Sequence, residues 1–213
     1  MLNVLLNALE ESLFMIFSAG LLTWIIGLPI GALLAVSGPG KFLHNEILYR
    51  PLRVLIHLTQ SVPYIAFTIA LIPFTRWIVG SDEGSIAAII PLTLASIPYF
   101  SRLCERSISQ IPDGLIETAQ SLGASNLQII YKILIPEALP SIIDGLTTTL
   151  IHLIGYSTIA GALGGGGLGA LLIHKGYQTF QGDYVIAALI ALVALSQTIQ
   201  LCGNYVSSGN TNK

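Results

Sequence analysis

Charge is what this 213-residue chain has least of: Asp, Glu, Lys and Arg together make up 9% of it, against roughly a quarter in a soluble domain. So few charges cannot coat a surface in contact with water, which points to lipid as the solvent. The formal net charge is -2, so there is no basic surplus to neutralise nucleic-acid phosphates. Only two cysteines are present, Cys104 and Cys202. They lie far apart without metal-ligand spacing, so no disulfide framework and no metal site are expected, and both read as small apolar fillers. No base precedes the first apolar run, whose approach carries Glu10 and Glu11. A cleaved signal peptide is therefore not expected, and the first span should remain in the mature protein. No G-x-x-x-x-G-K-[ST] occurs, and without that phosphate cradle the chain is not expected to hydrolyse ATP by the P-loop route.

What is abundant is apolar sequence: 53% of residues are hydrophobic, and the mean hydropathy is +0.77. A helix needs about 20 mainly apolar residues to cross a bilayer core. Five segments qualify, at about 13–36, 54–74, 84–101, 142–163 and 184–206. Their only acid or base of fixed charge is Asp144, at the start of the fourth. Internal prolines such as Pro63 and Pro73 do not disqualify a span, because neighbouring helices can satisfy the freed backbone groups. The expected fold is an all-α integral membrane protein with five transmembrane helices. Seven bases (Lys41, Arg50, Arg53, Arg102, Arg106, Lys132, Lys213) fall on one side of these spans, and two (Arg76, Lys175) on the other. That bias places residues 1–12 outside the cytoplasm and a tail at 207–213 inside it, in a multi-pass membrane protein.

Between the third and fourth spans the sequence turns polar, in "ETAQSLGASNLQIIYKILIP" from Glu117 to Pro136. Asp113 can cap a helix starting at Gly114, with Glu117 in or just past its first turn, where a carboxylate suits the helix dipole. Gly123 stands where that helix should stop. Ser125 and Gln128 have the spacing of a capping box for a second helix, which should end before Pro136. Neither helix is long enough to be stable alone in water. Their apolar residues, Leu115, Ile116, Ala119 and Leu122 on the first and Ile129, Ile130, Ile133 and Leu134 on the second, must pack on the chain's own spans, on a partner, or on both. A DNA-binding helix-turn-helix is excluded by charge, since Lys132 is the one base in the stretch.

Glu117-Thr118-Ala119, Gly123, then Ile133, Ile135 and Pro136 closely resemble the "EAA" loop of the permease subunits of bacterial ABC importers. The departures are Thr118 and Ile135, where that pattern has Ala and Leu. Longer stretches, Ser61–Arg102, "IPDGLIETAQSLGAS" and "GYSTIAGALGGGGLG", resemble the five-span permeases of methionine importers, and the resemblance covers nearly the whole chain. It implies a type I, binding-protein-dependent permease whose loop docks in a separate ATPase, with Glu117 facing that ATPase, Ala119 allowing close approach and Gly123 making the elbow. It also implies a homodimer, two ABC ATPase subunits that use ATP-Mg, an extracytoplasmic solute-binding protein, and no cofactor on this chain. Five spans are too few to enclose a broad path, which agrees with a twofold dimer. The solute implied is methionine, D or L; another amino acid or small polar solute is the alternative. A channel or secondary transporter would normally show internal repeats and charges within the spans, and neither is present here.

Other motifs carry less. "GGGGLG", Gly164–Gly169, satisfies the dinucleotide fingerprint in form. It follows a membrane helix instead of a strand, on the side away from cytoplasmic nucleotides. It is expected to be an extracytoplasmic turn, near where solute enters. Ser157 as a hydrolase nucleophile lacks a base on its own helix face, since His152 lies five residues earlier; no catalytic residue is expected. His57 should sit at the interface. His152, Tyr64, Tyr156 and Ser157 offer polar groups within spans two and four, either to line the path or to bond between helices. Ile159 and Leu163 are candidates for a gate.

Overall fold

Residues 1–211 are described by a computed structural model, and they are helical with no strand. Nine α-helices follow in order: α1 Leu2–Ser37, α2 Glu46–Ser61, α3 Tyr64–Val79, α4 Ser85–Ser109, α5 Asp113–Ser121, α6 Asn126–Ile129, α7 Ile135–Ala160, α8 Gly167–Leu171 and α9 Gly182–Thr211. A π-helical turn, Ile130–Leu134, joins α6 to α7 without a break, and a second, Leu172–Gln178, prolongs α8.

Three helices, α1, α4 and α9, are long and apolar enough to cross a membrane. Two more crossings result if each of two bent pairs counts as one. The first pair, α2 with α3, covers the span expected over 54–74 and is bent within it: the axis turns by 111° between Ser61 and Tyr64. Pro63 is the cause, because its ring drives the preceding residue out of the helical region, and Val62 is extended at φ -86, ψ 127. The second pair bends by 61° at Gly166, between residues 126–165 and 167–178.

Helix ends also differ from the apolar limits. Residues 2–12 are the opening turns of α1 and not a separate segment. α4 runs two turns past 101. Of the expected tail, 207–211 continue α9, while residues 212 and 213 lie outside the described residues. At 36 residues, α1 is about 54 Å long, well beyond a hydrocarbon core of about 30 Å.

The outside of the bundle is apolar: Phe14, Phe17, Leu21 and Ile25 on α1 and Ile186, Leu189, Ile190 and Val193 on α9 are exposed. A surface of that kind suits contact with lipid or with another apolar protein surface. Inside, the most extensive helix contact is α1 on α4. A methyl group at Gly27 would lie 2.8 Å from the Phe100 ring, and one at Gly31 would lie 2.5 Å from Cys104 Cβ and 2.6 Å from the Ser101 carbonyl oxygen. Ser101 Oγ donates to the Gly27 carbonyl at 3.0 Å across the same contact. Small residues with one interhelical hydrogen bond are how helices associate where lipid removes the hydrophobic drive. Beyond this crossing, one buried cluster ties the ends of α1, α4, α5 and α7 together (Val36, Phe100, Ile108, Ile116, Ala119, Ile142). Another fills the opposite half (Met15, Ile16, Leu92, Leu153, Ile154).

The α1–α4 crossing is open to test. Replacing Gly31 with Val forces the helices apart, and overpacking of this kind costs about 1–3 kcal/mol. The expected result is a lower thermal unfolding midpoint in detergent than for a Val at Gly209, which has nothing within 4 Å of an added Cβ.

Candidate functional site

The polar loop folds as two helices about a glycine elbow. α5 starts one residue earlier than expected: Pro112 occupies the N-cap position, and Asp113 is the first helical residue with no side-chain cap bond. Asp113 instead meets Lys41 at 3.5 Å, a mostly exposed contact of little energetic weight. At the other end, Gly123 has φ +80. Its N–H donates to the Gln120 carbonyl at 2.9 Å, and the Ala124 N–H donates to the Ala119 carbonyl at 3.0 Å. These two bonds are a Schellman motif, which satisfies the last carbonyls of α5 and requires the left-handed conformation at Gly123. Immediately after it, Ser125 accepts from the Gln128 N–H at 3.4 Å, and Gln128 Oε1 accepts from the Ser125 N–H at 2.9 Å. The capping box read from the sequence is thus present.

Pro136 does not end the second helix as expected. The Ile135 N–H reaches back five residues to the Ile130 carbonyl, and this wider π turn lets the helix pass the proline, which has no N–H and would crowd a regular turn. The elbow is therefore continuous with α7.

One face of the loop is turned to its own bundle. Ile116, Ala119, Ile129 and Leu134 are buried among α1, α4 and α7. Ala119, expected to permit close approach to a partner, permits close approach within the chain. Ile133 and Ile135 are half-buried, and Pro136 is exposed. Glu117 and Thr118 lie on the outer face; Thr118 Oγ1 donates back to the Gly114 carbonyl at 2.7 Å, while Glu117 makes no salt bridge among the described residues. Beside them, large apolar side chains stand in solvent: Leu122 is 84% exposed, Leu127 67% and Tyr131 66%. An unpaired carboxylate with exposed leucines at a rigid corner is the kind of surface that suits contact with another protein. Leu122 and Leu127 do not belong to the EAA pattern; Leu122 is among the apolar residues expected to pack somewhere, and Leu127 is revealed only by its failure to find a place in the core.

The path candidates separate into two groups. Ser157 is buried, its Oγ donating to the Ile154 carbonyl at 2.8 Å, so it stabilises its own helix and lines nothing. Tyr64 is also buried, its ring stacked on Tyr156 at 4.2 Å between centroids. His152, by contrast, is exposed on α7, on one stripe with Asp144, Thr148 and Ile159. Its imidazole lies over Tyr99 of α4, 4.5 Å between ring centroids, with Tyr99 Oη 3.3 Å from Nε2. A polar stripe on a membrane helix faces water or another protein surface, not lipid. Tyr99 was not legible as its partner, being 53 residues away. Leu163 lines a small cavity of about 80 Å³ with Thr68, Thr75, Asp82 and Gly165. Asp82 itself is gripped by the Arg76 guanidinium through two contacts of 2.9 Å, and that hydrogen bonding holds its carboxyl below the usual range. His57, in α2, is exposed with Arg102 Nη1 3.3 Å from its ring. No group of three or more His, Cys, Asp or Glu able to hold a metal occurs among the described residues.

With this geometry in view, the likeness to known proteins has a structural meaning. Residues 27–208 match the family described as binding-protein-dependent transport system inner membrane component. The probable D-methionine transport system permease protein MetI of Vibrio cholerae serotype O1 is 40% identical over 95% of this chain and 90% of its own. That of Pasteurella multocida is 44% identical over 92% and 91%. A chain from a structure of inward-facing conformations of the MetNI methionine ABC transporter superposes with a TM-score of 0.97 at 40% identity, covering 99% of this chain and 97% of that one.

The elbow yields its own prediction. A β-branched residue at Gly123 must hold the left-handed conformation, which costs about 1–2 kcal/mol. Since nothing crowds the position, Gly123→Val should loosen α5 alone: faster amide exchange at Leu122 to Ala124, with α4 and α7 unchanged.

Proposed function

The chain belongs to the family of binding-protein-dependent transport system inner membrane components, and from that membership we propose that it is the permease subunit of an ATP-driven methionine importer. Likeness over almost the full length to D-methionine permeases, in sequence and in backbone, is the observation that carries this reading; importers of many solutes share the loop alone. Two copies form the path about a twofold axis, an ATPase docks on each loop, and an extracytoplasmic binding protein delivers the solute. The loop end of the bundle faces the cytoplasm, with the start of α1 outside, as the distribution of bases favours. ATP-Mg is handled by the partner ATPase.

The chain's own residues convert motion at the docking face into motion of the bundle. Glu117 and Leu122 give the ATPase a charge and an apolar knob to grip. The Schellman turn and capping box fix the angle between α5 and α6, and the π turn carries the load past Pro136 into α7. The exposed stripe with His152 and Ile159 faces the path, with Tyr156 half-buried beside it, and Leu163 stands at its outer end. ATP binding favours one orientation of the docked loops and hydrolysis the other. The two nucleotide states thereby shift the population between outward-open and inward-open bundles.

Two substitutions test the docking face. Burying a leucine stabilises by about 1.5–3 kcal/mol, so Leu122→Ser should weaken ATPase co-purification markedly, and Glu117→Lys should reduce both docking and methionine uptake into vesicles. Membrane insertion should be normal in both. Wild-type docking and uptake in the two variants together would remove this surface from the mechanism.

A further inference from the structure

The glycine run after α7 is left without a task by the docking loop. It is a tight reversal in which the chain leaves α7, turns at Gly164 (φ +103), Gly166 (φ +83) and Gly167 (φ +71), and enters α8. Two side chains from the first turns of α1 close it: Glu11 Oε2 accepts from the Gly167 N–H at 2.6 Å, and Ser12 Oγ accepts from the Leu168 N–H at 2.9 Å. They satisfy two donors at the start of the helix formed by residues 167–178, as an N-cap does, but from 156 residues away. The carboxylate also lies at the positive end of the helix dipole. There is no room for anything else: a methyl group at Gly166 would lie 2.6 Å from Glu11 Oε2, and one at Gly167 2.5 Å from Ser12 Oγ. On its other side the reversal is tied to the start of α4, where the Gly84 N–H donates to the Gly164 carbonyl at 2.9 Å. α8 lies backbone to backbone on the end of α7, Gly169 against the Thr158 carbonyl and Gly161 against the Gly166 carbonyl.

We propose that Glu11 and Ser12 are positioning residues for transport, holding the Leu163 end of α7 to the α1–α4 pair so that motion entering at the elbow rearranges the path. The inference rests on the transport reading above. α7 is driven at one end through α5 and the π turn. Its other end resists because the reversal is fastened to α1 through Glu11 and Ser12, beside its backbone tie to the start of α4. With the fastening loosened, the glycine turn absorbs the motion, and ATP hydrolysis proceeds without delivering solute. Glu11 and Ser12 touch neither solute nor nucleotide in this role; they act through the position of the turn.

The test uses the reconstituted transporter, with its ATPase and binding protein, in vesicles, and reads methionine uptake per ATP hydrolysed. Glu11→Ala should lower that ratio about fivefold, the shift that losing one helix cap produces, while hydrolysis continues at the wild-type rate. Ser12→Ala should lower it in the same direction, and Glu11→Gln, which keeps an acceptor oxygen, should restore most of it. A ratio unchanged in Glu11→Ala overturns the proposal. So does a loss of uptake and hydrolysis in equal proportion, which is what a merely structural cap gives. Should Glu11→Ala not assemble, Ser12→Ala is judged by the same criterion, and a ratio in Glu11→Gln that falls as far as in Ser12→Ala also overturns the proposal. A wild-type transporter that hydrolyses ATP but takes up no methionine sinks the solute reading instead. The fastening is then read from amide exchange over 161–170, which Glu11→Ala must accelerate, and no acceleration overturns it.

Discussion

A backbone N–H or C=O in a bilayer core has no water to turn to, and that constraint decides where this chain can bend. Helical hydrogen bonding is kept almost everywhere, and each departure from it is met by a specific replacement. Val62 leaves the helix where Pro63 has no N–H to offer, and its own N–H finds the Thr59 carbonyl. The elbow at Gly123 returns two N–H groups to α5. Pro136 is passed by a π turn. The reversal at Gly164–Gly167 borrows a carboxylate and a hydroxyl from α1. Bends and satisfied donors occur together because an unsatisfied donor costs as much as the bend gains.

The same solvent explains the packing. Since lipid is as apolar as leucine, helices gain little by hiding leucines from it, and they associate where backbones can come close. Gly27 and Gly31 on α1 against Ser101 and Cys104 on α4, and Gly203 on α9 against Thr147 on α7, are such places. The polar loop lies under the opposite rule. In water, Ile116, Ala119, Ile129 and Leu134 must be covered, and they are covered by the ends of α1, α4 and α7. Leu122 and Leu127 are not. One short segment thus has a covered face and an uncovered one.

What could be read from the sequence was whatever depends on neighbours along the chain. Apolar runs marked the long helices α1, α4 and α9 because helix length and hydropathy are local, and Gly123, Ser125 and Gln128 foretold the elbow because caps bond within a few residues. The line between helix and break at a proline was not legible. Pro63 and Pro136 look alike in sequence, yet one turns the axis by 111° and the other is absorbed by a π turn, according to what surrounds them. Asp113 was displaced by one position for the ordinary reason that helix starts are soft. Contacts between distant segments left no trace at all: Tyr99 on His152, or Glu11 on Gly167, could be found only when the fold brought them together.

The unbroken run from Asn126 to Ala160 has a mechanical consequence. A helix of this kind is about 52 Å long at 1.5 Å per residue, stiff enough to act as a lever whose far end is pinned at the glycine reversal. A tilt of about 10° around that pivot sweeps the elbow through about 9 Å, close to the width of a helix. Under the proposed transport role, a modest movement of the docked loops would be geared to the span of a solute-sized opening, and Pro136, one of two prolines in the lever with Pro140, must be crossed without slack. The π turn at Ile130–Leu134 removes that slack.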